Sequence, residues 1–242
     1  MTSPFLGEFL GTAVLIFFGN GVVANTLLKN SKAEGSGWLN IIIGWAIGVL
    51  MGVFVAIACG APQADLNPAV TLAKTLNGVY PGSEAMGIML VQLAGGFVGG
   101  CLTWIFFRGH WEITEDTGAK LGVFCTAPAI RNYSQNLLCE ALATLMLIFP
   151  IFAIFSKNVG TIPPAVGPFM VSLLILGIGS CLGGTTGYAL NPARDLGPRI
   201  AHAICPIAGK GDSDWAYSWV PVAGPMIGAV LAFMLSKATG IL

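Results

Sequence analysis

Six long apolar stretches, about 5–28, 38–60, 84–107, 135–156, 164–182 and 216–236, alternate with short polar runs along this chain. Each approaches or exceeds the roughly 20 residues that a helix needs to cross about 30 Å of hydrocarbon. The punctuation between them reads KNSKAEGSG at 29–37, RGHWEITEDTGAK at 108–120, SKNVG at 156–160 and GKGDSDW at 209–215. The pattern therefore predicts six membrane-spanning helices joined by short polar connections. Two further apolar pieces, 67–78 and 191–204, are too short to span, and each opens with Asn-Pro. At about 1.5 Å per residue each covers roughly half of the hydrocarbon core. They stand in matching places, after the second and after the fifth span.

The chain also repeats itself. EFLGTAVLIFFG from Glu8 matches EALATLMLIFPI from Glu140, with Glu, Leu, Thr, Leu, Ile and Phe in register. LNPAV at 66–70 pairs with LNPAR at 190–194, and QLAGGFVGG at 92–100 with PVAGPMIGA at 221–229. Two halves, about 1–120 and 121–242, each carry three spans and one half-helix, within a single domain over 1–242. Three is odd, so the second half enters the membrane inverted. Short helices at equivalent places of an inverted repeat point to a shared site near the midplane. Small residues at helical spacing, as in Gly44/Gly48/Gly52, Gly95/Gly99 and Gly224/Gly228, fit close helix packing in lipid.

Composition narrows the class without changing the outline. Hydrophobic residues make up 55% of the chain and charged ones only 9%, against roughly a quarter charged in soluble domains. Its partner is thus the lipid bilayer. Zero formal net charge gives no reason to expect nucleic acid. No basic run precedes Phe5, so the first apolar stretch reads as a span rather than a cleaved signal. Cys59, Cys101, Cys139 and Cys181 lie in or beside apolar stretches without a CxxC pair and read as packing residues. His110 and His202 are far apart, so neither a metal nor a cofactor is expected. With no nucleophile–base set either, the sequence does not read as an enzyme.

The chemistry concentrates at the two Asn-Pro-Ala sites, Asn67-Pro68-Ala69 and Asn191-Pro192-Ala193. Asn is a good N-cap and Pro fits the first helical turn, so each site starts a helix. Half-helices entering from opposite faces bring two N-termini together, each carrying roughly +0.5 charge. The resulting positive centre disfavours cations and protons. The Asn67 and Asn191 amides offer donors to a passing oxygen. Carbonyls of the extended stretches 60–66 and 183–190 would form a ladder of acceptors, since non-helical backbone at membrane depth must face protein or water. Arg194 follows the second site directly, and a guanidinium in an apolar chain belongs at a wet, functional place. Glu8 and Glu140, placed symmetrically on spans one and four, are expected to hold backbone N–H groups of the stretches leading to the half-helices. Asp195 and Arg199 stand four apart on one helical face and can pair.

These residues resemble the aquaporin (major intrinsic protein) family, and within it the glycerol-facilitator or aquaglyceroporin branch. The resemblance covers nearly the whole chain. It implies an all-α membrane fold of six tilted helices and two re-entrant half-helices, and a homotetramer in the plasma membrane with one pore per subunit. It also implies that Arg194, Trp45, Gly179 and Tyr188 form the narrowest point, the selectivity filter. Gly179 stands where water channels carry a His ring, so the constriction is expected to be wider. Trp45 and Tyr188 are expected to give an apolar wedge opposite the donors of Arg194, a surface suited to a polyol. Asp195 with Arg199, and Pro221-Val222 on the last span, match the same branch.

Three positions depart from that branch. Tyr188 replaces the usual Phe. Asp65, in APQADLNPAV, takes the usual His position in a stretch about two residues longer. Ala127 stands where Tyr is common. The implied solutes are glycerol and water. Dihydroxyacetone, urea, hydrogen peroxide and protonated lactic acid are the alternatives within the class, and an ion-coupled transporter using Glu8 and Glu140 is the alternative outside it. The resemblance implies cytoplasmic termini. That arrangement puts Lys29, Lys32, Arg108, Lys120, Arg131 and Lys210 outside, against the usual positive-inside bias.

Overall fold

The computed structural model describes residues 2–242 and contains ten helices among them. They are α1 (Pro4–Leu27), α2 (Gly37–Ala58), α3 (Pro68–Leu76), α4 (Gly82–Phe106), α5 (Arg108–Ile113), α6 (Thr117–Phe124), α7 (Tyr133–Ile154), α8 (Val166–Cys181), α9 (Pro192–Ile204) and α10 (Val220–Ala238). Among the described residues, α1, α2, α4, α7 and α10 have the length and apolarity to cross a bilayer, and α8 is a shorter apolar helix. With 16 residues α8 covers only about 24 Å, less than the stretch 164–182 suggests. Pro163 and Pro164 precede it, and the chain after Cys181 turns through Gly183 and Gly184, so neither end extends the helix.

Local chemistry fixes where the helices begin. Ser3 caps α1 through its Oγ, which accepts from Leu6 N at 3.1 Å, with Pro4 in the first turn. Asn132 and Asp116 cap α7 and α6 in the same way. The α3 and α9 starts are Asn-capped with Pro at the first position, as the sequence predicts.

Hydrogen bonds between helix ends define two faces. Ser3 N donates to Cys59 O at 3.1 Å, and Ser156 Oγ to Ile241 O at 3.4 Å, which gathers the start of α1 and the ends of α2, α7 and α10 on one face. On the other face Lys29 N donates to Thr114 Oγ1 at 3.0 Å, and Arg131 pairs with Asp214. Within the halves α1 packs on α2 and α4, and α7 on α8 and α10. The half-helices then cross over: α9 lies against α4, and α3 against α10 as well as α4. Glycine permits the closest approach. A Cβ on Gly96 would sit 2.5 Å from Ala193 O, so any larger residue pushes α9 off α4.

The stretch 108–120, expected as polar punctuation, instead carries α5 and the first half of α6. Trp111 on α5, and Val123 and Phe124 at the end of α6, are buried against the bundle. Their apolar spacing is too short to stand out from a polar run. Large apolar side chains such as Leu39, Leu90, Ile105 and Phe106 are exposed on the outside, where lipid replaces water as the solvent.

Candidate functional site

The two half-helix starts meet. Asn67 Nδ2 donates to Leu190 O at 2.8 Å, and Asn191 Nδ2 donates to Leu66 O at 2.7 Å. Each Asn also caps its own helix: Asn67 Oδ1 accepts from Ala69 N at 2.8 Å, and Asn191 Oδ1 from Ala193 N at 2.9 Å and Arg194 N at 3.2 Å. One amide N–H of each Asn is therefore committed to the opposite half, and one remains for anything passing. Sequence reasoning assigns the amides to solute alone; it misses this reciprocal clasp, which only the approach of the two halves creates.

The backbone leading to each start is duplicated in detail. Ala64 and Leu66 in the first half, and Tyr188 and Leu190 in the second, all have positive φ, at 43°, 52°, 38° and 57°. Non-glycine residues in this region store strain and persist only where neighbours hold them. The holders are the two carboxylates. Glu8 accepts from Asp65 N and Leu66 N, both at 2.7 Å, and from Gln92 Nε2 at 2.9 Å. Glu140 accepts from Ala189 N and Leu190 N, both at 3.0 Å. Both side chains are buried in the bundle, away from the cavity described below.

With their N–H groups turned to these carboxylates, several carbonyls are left over. Among the described residues no donor of the chain reaches the carbonyls of Pro62, Ala64 and Asp65, or of Thr186, Gly187, Tyr188 and Ala189. A cavity of about 370 Å³ lies beside them. Gln63, Lys74, Phe155 and Pro164 line it toward the face that holds the chain termini; Leu66, Asn67, Leu190 and Asn191 line its middle; Trp45, Tyr188 and Arg194 line its far end.

At that far end the arrangement differs from the sequence expectation in two respects. The Arg194 guanidinium stacks on the Trp45 ring, 3.9 Å from its centroid, instead of facing it across the opening. A cation in a water-poor site gains by lying on an indole face. Its remaining contact with the chain is a long one, from Nη1 to Phe124 O at 3.4 Å, so most of its donors stay free. Nor does Gly179 leave an opening. A Cβ there would lie 3.0 Å from Tyr188 Cζ and 3.1 Å from its Oη, so the phenol fills that room. Trp38 holds both groups: its Nε1 donates to Gly179 O at 3.1 Å and its ring meets the Tyr188 ring edge-on at 5.8 Å. The Tyr188 hydroxyl is buried and has no partner in the chain among the described residues.

Polar anchors surround the two half-helices. In α9, Arg199 Nε and Nη2 both lie 2.8 Å from Asp195 Oδ1; Asp195 Oδ2 accepts from the N and Oγ1 of Thr126 at 2.7 Å each. Arg199 also donates to the carbonyls of Ser213, Asp214 and Thr126, so one buried pair ties α9 to two connections. Beside α3, buried Asp65 accepts from Lys74, from Thr71 Oγ1 and from Tyr80 Oη, the last two at 2.9 Å. Burial, and then the Asp65 charge, hold the Tyr80 phenol well above its ordinary pKa, so it stays a donor. Sequence reasoning notes Asp65 only as a departure and misses Lys74, Thr71, Tyr80, Gln92 and Thr126. The four-residue spacing of Asp195 and Arg199 is legible, whereas Asp65 and Lys74 stand nine apart and meet only because the chain turns at Asn67.

Comparison with known proteins agrees with this architecture. The family model described as major intrinsic protein matches residues 1–235. Glycerol uptake facilitator protein 3 of Lactiplantibacillus plantarum is 50% identical over 230 residues, covering 95% of this chain and 94% of that protein. A probable glycerol uptake facilitator of Thermotoga maritima is 47% identical, covering 96% and 97%. A D/L-lactic acid transporter of Lactiplantibacillus plantarum is 40% identical, covering 96% and 95%. The crystal structure of the aquaglyceroporin from Plasmodium falciparum superposes with a TM-score of 0.84 at 29% identity, over 97% of this chain and 94% of that one. With five bilayer-length apolar helices and a shorter sixth, two opposed half-helices and a family match over nearly its whole length, the chain belongs to the major intrinsic protein family.

Proposed function

We propose that this protein is a passive channel for glycerol and water that excludes ions and protons. The observation that carries it is the clasp of Asn67 to Leu190 and Asn191 to Leu66, which sets two helix N-termini against a cavity lined by unpaired carbonyls. Two dipole ends of about +0.5 each disfavour cations there. The free amide N–H of each Asn then orients a solute oxygen, and a water held by two donors is turned so that it cannot relay a proton. Arg194, Trp45, Tyr188 and Gly179 act as the filter: the guanidinium, held on the Trp45 face, binds hydroxyl oxygens while the Tyr188 ring, seated against Gly179, faces carbon-bound hydrogens. Glu8 and Glu140 are structural supports in this scheme, as are Asp195 and Arg199. The names of the similar proteins support the choice of glycerol.

We also place the chain in the plasma membrane as a homotetramer with cytoplasmic termini, and the boundary between its halves near residue 120, in the α5–α6 connection. The exposed apolar faces suit both lipid and neighbouring subunits.

One observation favours a second solute. The filter carries Tyr188 where Phe is usual in the branch, and one similar protein is named for lactic acid. Protonated lactic acid is a small neutral solute with a hydroxyl, and the free donors of Arg194 would bind its carboxyl oxygens.

Labelled uptake into proteoliposomes tests the passive reading. Glycerol should reach the external concentration and stop there, with or without a protonophore. Accumulation above the external level, abolished by the protonophore, would replace the channel with an ion-coupled transporter. Lactic acid uptake rising steeply as pH falls, beside slow glycerol uptake, would favour the second solute.

A further inference from the structure

The first half-helix is anchored by a group that reaches the cavity, and this has no counterpart in the second half. Lys74 Nζ is shared between the Asp65 carboxylate and the carbonyl of Gln63, the latter at 3.0 Å. Gln63, Asp65 and Lys74 all line the cavity. The matching places in the second half hold Gly187, Ala189 and Pro198, none of which offers a side-chain donor.

The shared ammonium sits where orientation matters. Glu8 fixes the N–H groups of Asp65 and Leu66 from behind. Lys74 fixes the Gln63 carbonyl and the Asp65 side chain. Ala64, held at a φ of 43°, lies between these ties, and the unpaired carbonyls of Pro62, Ala64 and Asp65 flank the Gln63 carbonyl. Strained backbone relaxes when its holders are removed. Without Lys74 the Gln63 carbonyl loses its donor, and the acceptors on either side of it lose their fixed direction. Asp65 keeps Thr71 and Tyr80, so the start of α3 itself remains tied.

We infer that Lys74 is a positioning residue for solute discrimination: through Gln63 O and Asp65 it aims the acceptor ladder at one mouth of the pore, and this favours polyols over water. The inference rests on the channel function proposed above. A polyol entering a narrow pore must satisfy adjacent hydroxyl donors together, at acceptors of fixed spacing. A single water needs fewer partners and tolerates a looser wall. Misaimed acceptors therefore penalise the polyol more, because a site built to satisfy hydroxyls discriminates through those bonds.

The test compares glycerol and water permeabilities of the wild type, Lys74→Met and Lys74→Arg in liposomes of one composition. Lys74→Met should lower the glycerol permeability about threefold or more while water changes less than about twofold, as expected for one charge-assisted bond lost from a positioned wall. Lys74→Arg, which keeps the charge and the donors, should recover most of the glycerol-to-water ratio. An unchanged ratio in Lys74→Met, or a ratio in Lys74→Arg as low as in Lys74→Met, would overturn the inference. If Lys74→Met is not recovered folded, Tyr80→Phe removes one neutral donor from Asp65 and should shift the ratio the same way by less; an unchanged ratio there would overturn it equally. Wild-type liposomes no faster than protein-free ones in glycerol would reject the proposed function itself. Wild-type conduction with unchanged variant ratios would reject only the role of Lys74.

Discussion

The two half-helices have the same backbone and different anchors. Both starts are Asn-capped, both are preceded by a pair of positive-φ residues two apart, and both have two N–H groups held by a buried Glu. Beyond that they part. α9 is pinned by a fully buried Asp195–Arg199 pair, and its C-terminal carbonyls at His202, Ala203 and Cys205 are capped by Lys210. α3 is pinned by Asp65, whose charged partner Lys74 reaches the cavity. The duplicated feature is thus the geometry that turns carbonyls toward the cavity, and the variable feature is how firmly each copy is held. The firmly held copy carries Arg194, which lines the far end of the cavity.

This contrast gives an ordered series of tests. Arg199→Met leaves Asp195 charged and buried without its partner, so it should destabilise by roughly 3–5 kcal/mol. Loss of monodisperse protein on mild heating in detergent is the readout, and a melting curve like that of the wild type would show that α9 does not depend on the pair. Glu8→Gln and Glu140→Gln each place an amide where two backbone N–H groups need acceptors, at about 1–3 kcal/mol each. Equal losses would mark the duplicated geometry, whereas a much larger loss in one would mean the halves are not equivalent at this level.

Asp65→Asn should be milder than Arg199→Met, by about 1–2 kcal/mol, because Lys74 regains water at the cavity when the pair is broken. A melting shift as large as that of Arg199→Met would contradict the proposed difference in anchoring. Tyr188→Phe removes a buried hydroxyl that has no partner, so thermal stability should stay the same or rise by up to about 1 kcal/mol. Its effect should fall on permeation, and a clear loss of stability would reveal a partner for the hydroxyl. The smallest effect belongs to the exposed Lys29–Glu34 pair. The hydrogen bond from Lys29 lowers the Glu34 pKa, so any stability it adds exists above the ordinary carboxylate range and fades as pH falls through that lowered value. Lys29→Ala should leave the melting curve unchanged at neutral pH.

How much the sequence reveals depends on how local the signal is. The spans, the half-helices and their caps are legible because apolar length, Asn and Pro act within a few residues. The Glu8 and Glu140 positions are legible because the repeat pairs them. The Asn clasp and the stacking of Arg194 on Trp45 are not, since each joins elements more than a hundred residues apart; the Tyr188 phenol beside Gly179 is only nine residues from it, but its seat also depends on Trp38 from the other half of the chain. The α5 and α6 helices escape notice for another reason: only Trp111, Val123, Phe124 and a few neighbours are buried in a stretch otherwise rich in charge.

The most direct measurement is the re-swelling of proteoliposomes shrunk by a glycerol gradient, followed by light scattering at matched protein density. Two opposed helix starts beside a ladder of acceptors require re-swelling far faster than in protein-free liposomes, with no dependence on ion gradients and no accompanying proton flux. Re-swelling at the protein-free rate, or a proton leak that rises with glycerol flow, would contradict the account.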